Sequence, residues 1–393
     1  MKFLLVASFA ESIMQFRGPL IQALVAKGME VHIAAPGLSA DSPARQQLES
    51  KGLIAHDIAL RRTGMNPARD LLTLWLLWRL MISLRPQYVL GYTIKPVIYG
   101  SLAAWLARIP RRYALITGLG YAFAGKNAQG SRPSLCRRVA QKLYTLALGR
   151  VHKTFFQNPD DEKLFRDLGI LSPSASTVVI NGSGINLKQF MPAPLPQTPH
   201  FLLIARLLGN KGVREYCEAA SRIHSQYPQA RFSLVGWLDD NPDSITQAEL
   251  DSWLAQGHLN FLGRLEDVRS AIASCNVYVL PSYREGTPRT VLEALSMGRA
   301  IITTDAPGCR ETVVDGYNGY LVPVQCIDSL ACAMKHFIDD PTLARQMGAH
   351  SRRIAEHKYD VGKINAVMLR EMGIGLRSAR SHAGYRRGLA VVR

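Results

Sequence analysis

The stretch Val277-Tyr278-Val279-Leu280-Pro281-Ser282-Tyr283-Arg284-Glu285-Gly286-Thr287-Pro288-Arg289-Thr290-Val291-Leu292-Glu293 decides how this chain is read. Its apolar opening, closed by Pro281 and Ser282, predicts a buried strand, and Thr287 followed by Pro288 predicts a helix from 288 with Thr287 as its N-cap. The first-turn N–H groups of such a helix have no intrahelical acceptor and face the preceding loop, where a diphosphate fits. Glu285 lies in that loop and Glu293 on the second turn, so one carboxylate can hold the hydroxyls of a sugar and the other those of a ribose. An acidic loop beside an ordinary amphipathic helix would give the same spacing.

Working outward, Phe201-Leu202-Leu203-Ile204-Ala205 reads as a second buried strand, followed by Arg206-Leu207-Leu208-Gly209-Asn210-Lys211-Gly212 and a helix from Val213. Arg206 supplies a planar fork for phosphate oxygens and Lys211 a flexible point charge, a cationic clamp for a leaving nucleoside diphosphate. Either residue alone reads as a solvated surface cation. Further strands are predicted at Phe232–Val235, Asn260–Leu262, Val277–Leu280, Ala300–Thr303 and Gly319–Val322. In the first half, strands at Phe3–Ala7, Val31–Ala35, Val89–Leu90, Tyr113–Thr117 and Thr154–Gln157 alternate with helical segments such as Pro19–Lys27 and Val97–Arg108. This alternation implies two parallel sheets covered by helices, and ligands in such sheets bind beyond the carboxyl ends of the strands. Prolines at 192, 194, 196 and 199 mark a linker. The divisions are residues 1–191 as a first α/β domain, 192–199 as linker, 200–359 as a second, a closing helix over 360–373 returning to the first, and a basic tail over 374–393.

These elements resemble the retaining nucleotide-sugar glycosyltransferases of family 4, which adopt the GT-B fold, two Rossmann-like doubly wound domains facing a central cleft. The carriers are Arg206 with Lys211, the segment from Glu285 to Glu293, and Pro307-Gly308-Cys309-Arg310-Glu311-Thr312-Val313 followed by Asp315-Gly316-Tyr317-Asn318-Gly319. A narrower likeness is to bacterial enzymes that build polyprenyl-diphosphate-linked oligosaccharides, including the N-acetylgalactosaminyl transferases of protein N-glycosylation. It rests on Phe16-Arg17-Gly18-Pro19-Leu20, Gly91-Tyr92-Thr93-Ile94-Lys95-Pro96 and Ile116-Thr117-Gly118-Leu119-Gly120-Tyr121-Ala122-Phe123. The resemblance implies transfer of a hexose or N-acetylhexosamine from a nucleotide sugar, UDP-linked by expectation, to a lipid-linked saccharide in O-antigen, capsule or other cell-surface glycan assembly. It casts Glu285, Arg206 and Lys211 as catalytic. Glu293, Gly286, Thr287, Pro288, Arg289, Gly236, Gly263 and Arg264 would hold the donor, and Arg17, Lys95, Thr117 and Tyr121 the acceptor.

The chain departs from the family's pattern in two places. Many relatives carry a histidine after the fourth strand of the first domain, where this chain has Thr117-Gly118-Leu119-Gly120-Tyr121. The first loop lacks paired glycines, and Ala10-Glu11-Ser12 precedes Phe16-Arg17, so Arg17 is expected to replace the usual phosphate contact electrostatically. Lys95 reads equally as a ligand of an acceptor diphosphate or as a solvent-facing lysine. Asp239-Asp240 falls in a polar loop of the second domain, and no metal or other cofactor is expected.

A chain of 393 residues, 47% hydrophobic and 20% charged, has the composition of a two-domain globular enzyme. Its six cysteines form no C-x-x-C pair and read as reduced core thiols of a cytoplasmic protein. Met1 to Ala7 reads as a first strand rather than a signal sequence, and the apolar stretch from Leu71 to Leu84 as a packed helix too short to span a bilayer. The formal charge of +17 calls for an anionic partner. Nucleic acid is not favoured, since no zinc finger, RNA-recognition signature or basic repeat is present. Arg132, Arg137, Arg138, Lys142, Arg150 and Lys153 accompany Leu135, Val139, Leu143 and Leu146 at helical spacing, a basic helix over 132–153 that can lie on an anionic membrane or pack on the core with a solvated basic face. A peripheral position on the inner face of the plasma membrane follows. Two other classes remain open, a nucleotide-sugar 2-epimerase, which forms product without an acceptor, and a lipid-associated adaptor, which would not bind UDP.

Overall fold

A computed structural model of the chain describes residues 1–61, 66–118, 135–239 and 241–375. Tyr121, Arg132, Asp240 and the tail beyond 375 lie outside the described residues. The first sheet holds β1 (Lys2–Val6), β2 (Glu30–Ala35), β3 (Ile54–Asp57), β4 (Tyr88–Tyr92), β5 (Arg111–Ile116), β6 (Lys153–Phe156) and β7 (Thr177–Val179) in the order β3-β2-β1-β4-β5-β6-β7. The second holds β8 (His200–Ile204), β9 (Arg231–Val235), β10 (Leu259–Phe261), β11 (Val277–Leu280), β12 (Ala300–Thr304) and β13 (Gly319–Val322) in the order β10-β9-β8-β11-β12-β13. Every pairing is parallel. Both orders reverse direction beside the first strand of their sheet, which places a crevice at the carboxyl edge of each.

The central strands are those read from the sequence, shifted by a residue or so. β3 and β7 were not predicted, because both are short and partly exposed and carry no apolar run. With β3 counted, the strand before Thr117 is the fifth rather than the fourth. Of the predicted helices, Pro19–Lys27 is the second half of Ser12–Ala26, which accommodates Pro19 in its interior. The segment Val97–Arg108 is a π-helical turn, Pro96–Gly100, continued as the α-helix Ser101–Leu106.

The basic helix is described over Leu135–Leu148 and ends five residues before the predicted 153. Lys153 belongs to β6 and pairs at 2.6 Å with Glu371 of the closing helix, so it is no part of a membrane-facing row. That closing helix, Val361–Glu371, starts on the Asp360 side chain, which accepts from Gly362 N at 2.7 Å. Its Ile364, Met368 and Leu369 join Ile13, Leu20 and Ile21 in the core of the first sheet. Residues 192–199 contain no regular element and lie on the second unit, where the buried Arg299 donates to the Ala193 carbonyl at 2.9 Å.

Candidate active site

The carboxyl edges of the two sheets meet at the loop between β11 and the helix that follows it, where Gly286 abuts Thr117 and Thr287 bonds Gln157. Lys211 ends a short turn after β8, and its Nζ lies 2.5 Å from Glu285 Oε1. Ser282 Oγ donates to the same oxygen at 2.9 Å. Glu285 Oε1 therefore carries two donors, which leaves Oε2 to accept from a further donor, while an ammonium with three donors can hold Glu285 and a second acceptor together. Gly308, at φ +81°, passes so close under the Glu285 carbonyl that a side chain there would displace the loop.

The second cation of the expected clamp has a different partner. Arg206 Nη1 bonds Asp239 Oδ2 at 2.9 Å, and Asp239 Oδ1 accepts from Asn241 N at 3.0 Å. Farther along the same rim, Gly236 N donates to Gly263 O at 2.9 Å, and the Arg264 guanidinium lies 4.9 Å from the ring centroid of Trp237, an exposed aromatic face. Gly236 and the Leu262-Gly263-Arg264 turn are thus brought together.

The helix after the loop begins one residue later than predicted. It spans Arg289–Ser296 with Pro288 as its N-cap, in extended backbone and without a side-chain cap. Thr287 does not cap it, because its hydroxyl donates across the cleft to the Gln157 carbonyl at 3.0 Å. Glu293 is only 4% exposed and bonds Arg289 Nε at 2.9 Å. Burial pushes its carboxyl above the usual range, against the pull of Arg289. Arg289 also donates to the Gln15 carbonyl in the first unit and lies over the Phe16 ring at 5.5 Å.

Next to that contact, Arg17 is 3% exposed, its guanidinium 5.2 Å from the Tyr92 ring centroid and its Nε without a hydrogen-bond partner. Burial, with a smaller contribution from repulsion by Arg289, lowers its pKa to about 10. An inward-turned guanidinium with no carboxylate among the described residues is costly unless an anion joins it. Lys95 is different. It pairs with Asp70 at 2.7 Å with both side chains largely buried, so it is neither a solvent-facing lysine nor a free cation. Thr117 follows β5, and its carbonyl abuts Gly286.

Sequence reading missed the residues that join the two units. Asn158 caps the helix Pro159–Asp167 by accepting from Asp161 N at 2.7 Å, and its Nδ2 donates to Gly286 O at 2.7 Å. Arg284 reaches Asp161, which is 0% exposed, at 2.5 Å, and Arg310 reaches Asp160 at 3.0 Å. Asn158-Pro159-Asp160-Asp161 is a recognisable helix start, but nothing in it names a partner in the other half of the chain.

Residues 16–182 match the family model described as glycosyl transferase 4-like domain, and residues 198–340 that of glycosyl transferases group 1. The chain is 31% identical over 358 residues, 88% of its length and 91% of the relative's, to the N,N'-diacetylbacillosaminyl-diphospho-undecaprenol alpha-1,3-N-acetylgalactosaminyltransferase of Campylobacter jejuni. It is 27% identical over 290 residues, 70% of its length and 72% of the relative's, to the UDP-Gal:alpha-D-GlcNAc-diphosphoundecaprenol alpha-1,3-galactosyltransferase of Escherichia coli. Among solved structures, the sucrose-phosphate synthase of Thermosynechococcus elongatus superposes with a TM-score of 0.78 at 20% identity, covering 94% of this chain and 98% of that one. With its two doubly wound sheets joined at their carboxyl edges, the chain belongs to the family 4 glycosyltransferases of the GT-B fold.

Proposed function

We propose that this glycosyltransferase moves a hexose or N-acetylhexosamine from a UDP-sugar to a saccharide carried on a polyprenyl diphosphate, in the assembly of a cell-surface glycan. The observation that carries the reading is Arg17, a buried cation with no carboxylate partner among the described residues, beside Arg289 at the junction of the two units. Two anionic groups are at hand in such a reaction, the donor diphosphate and the acceptor diphosphate. The relatives' names specify lipid-diphosphate saccharides as acceptors and, in one, a UDP-sugar as donor.

In this reading the UDP diphosphate sits over the first turn of the helix Arg289–Ser296, within reach of Lys211 and Arg206, with the base against Trp237 and the ribose hydroxyls toward Glu293. Glu285 Oε2 accepts from a sugar hydroxyl and fixes the anomeric carbon toward the first unit. The bond from that carbon to the diphosphate oxygen breaks, the acceptor hydroxyl oxygen bonds the same carbon, and its proton leaves toward the departing diphosphate. Lys211 and Arg206 stabilise the charge growing on UDP, a role worth about 10²–10³ in rate per preorganised donor. Retention of configuration comes with the family. The reaction is proposed to need no metal, and EDTA should leave it unchanged.

The enzyme is proposed to work as a peripheral protein on the inner face of the membrane, since no helix among the described residues is long and apolar enough to cross a bilayer. The test is incubation of the purified chain with a panel of UDP-hexoses and UDP-N-acetylhexosamines and a short-chain polyprenyl-diphosphate N-acetylhexosamine, read by mass spectrometry. A product heavier by one sugar supports the reading. Epimerised donor in the absence of acceptor, or no UDP binding by thermal shift, would reject it in favour of an epimerase or an adaptor.

A further inference from the structure

From Ile58 to Pro159 the chain carries sixteen Lys and Arg residues against a single acid, Asp70, and that acid is taken up by Lys95 at 2.7 Å. Three helices of this segment, Pro67–Leu84, Ser101–Leu106 and Leu135–Leu148, cover one face of the first sheet. Their inner sides hold Leu77, Met81, Ala103, Tyr144 and Ala147 in the core.

Pro67–Leu84 packs on the core as a helix through Leu77 and Met81, but its outer side is apolar and exposed. Leu71 is 66% exposed and Trp75 45%, with Leu72 and Ile82 exposed beside them, so Leu72, Trp75, Arg79 and Ile82 form an outward stripe at helical spacing. The neighbouring helix adds Trp105, 40% exposed, and Leu106. Each exposed tryptophan carries an arginine on its face, Arg79 at 4.8 Å from the Trp75 ring and Arg150 at 4.5 Å from that of Trp105. Amphipathic aromatic rings under cations, among exposed leucines and in a segment whose one acid is already paired, match the boundary between acyl chains and anionic headgroups.

We infer that the outward face of the helix Pro67–Leu84, with Trp105 and Leu106, docks in the headgroup layer of an anionic bilayer and inserts its apolar side chains there. The inference deepens the proposed reaction, from which it takes a bilayer-anchored acceptor. The fold supplies the geometry. A crossover helix runs antiparallel to the strands it joins, so the amino end of Pro67–Leu84 lies at the carboxyl edge of the sheet, and the Asp70–Lys95 pair ties it to the loop after β4. Leu71, Leu72 and Trp75 therefore stand toward the carboxyl edge of the first sheet, the edge where Thr117 and Gln157 meet the Gly286 loop, and a diphosphate rising from the membrane would enter from that side. The basic helix alone supplies long-range attraction that salt screens, whereas the apolar stripe supplies binding that salt does not remove.

The test is sedimentation of the full chain with phosphatidylcholine vesicles with and without phosphatidylglycerol, at low and high salt, for wild type and L72S/W75S. The double variant should lower the partition coefficient about tenfold or more, since each large apolar side chain left in water forfeits a severalfold factor. The loss should be greatest in the fraction that survives high salt. Brominated lipids should quench wild-type tryptophan fluorescence more than that of W75F/W105F, a milder pair that keeps an aromatic ring at each site. Transfer to a water-soluble short-chain acceptor should be unchanged in L72S/W75S, which separates failure of docking from failure of the proposed chemistry. Equal partition of wild type and L72S/W75S at both salts would overturn the inference. So would a wild type that ignores vesicles but forms a dimer lost in L72S/W75S, since a second copy would then cover the face.

Discussion

Gly286 offers the sharpest test of the interdomain geometry. A Cβ built there would lie 2.6 Å from Gln157 Oε1 and closer still to the Thr117 carbonyl oxygen, both in the first unit. Gly286 is not among the glycines with positive φ, so alanine suits its own backbone and the conflict is entirely with the opposite domain. Restoring ordinary contact requires the units to part by roughly 1 Å, and overpacking of this kind costs about 1–3 kcal/mol. The parting lengthens the Asn158 Nδ2 to Gly286 O bond, now 2.7 Å, and the Thr287 Oγ1 to Gln157 O bond, now 3.0 Å. A misplacement of about 1 Å between reacting groups can cost about 10²-fold in rate. G286A should therefore lose about two orders of magnitude in kcat, with UDP affinity by calorimetry changed little because Lys211 and Glu293 keep their places in the second unit. Each sheet has its own core, so the melting temperature should fall only slightly. A G286A enzyme within twofold of wild-type kcat would show that the observed contact is not the working geometry, and the reasoning would fail.

Three further outcomes are expected. E285A and K211A should each reduce turnover by orders of magnitude without unfolding the chain, and the double variant should be far from additive because the two side chains form one bonded unit; additive losses in a double-mutant cycle would separate them. Replacing Arg137, Arg138 and Lys142 by Ser should weaken sedimentation with anionic vesicles and make what remains less salt-sensitive, at about 1 kcal/mol per basic residue, with donor hydrolysis unaffected. Burial pushes the Cys275 and Cys309 thiols up to about 12, whereas hydrogen bonding with Ser329 holds Cys326 below its usual value; iodoacetamide near neutral pH should therefore label Cys326 and spare Cys275 and Cys309, as peptide mass mapping will read.

Local chemistry was enough to place most of this fold. Apolar runs bounded by Gly, Pro and Ser gave the central strands of both sheets, since a strand buried on both faces must be apolar throughout and so announces itself. The edge strands Ile54–Asp57 and Thr177–Val179 are half solvated and carry no such signal. The sequence also located the loop around Glu285, because strand, turn and helix are contiguous there. It could not say that Glu285 bonds Lys211, that Arg206 is taken by Asp239, or that Lys95 is neutralised by Asp70, since each pair joins residues far apart in the chain that only packing brings within hydrogen-bond reach. The Thr287 cap failed for the same reason: the helix-start preference is worth about 1 kcal/mol, and a carbonyl from the other domain claimed the hydroxyl. The apolar stretch from Leu71 to Leu84 was visible from the start, but which of its side chains face the core and which face outward was decided by the sheet it lies on.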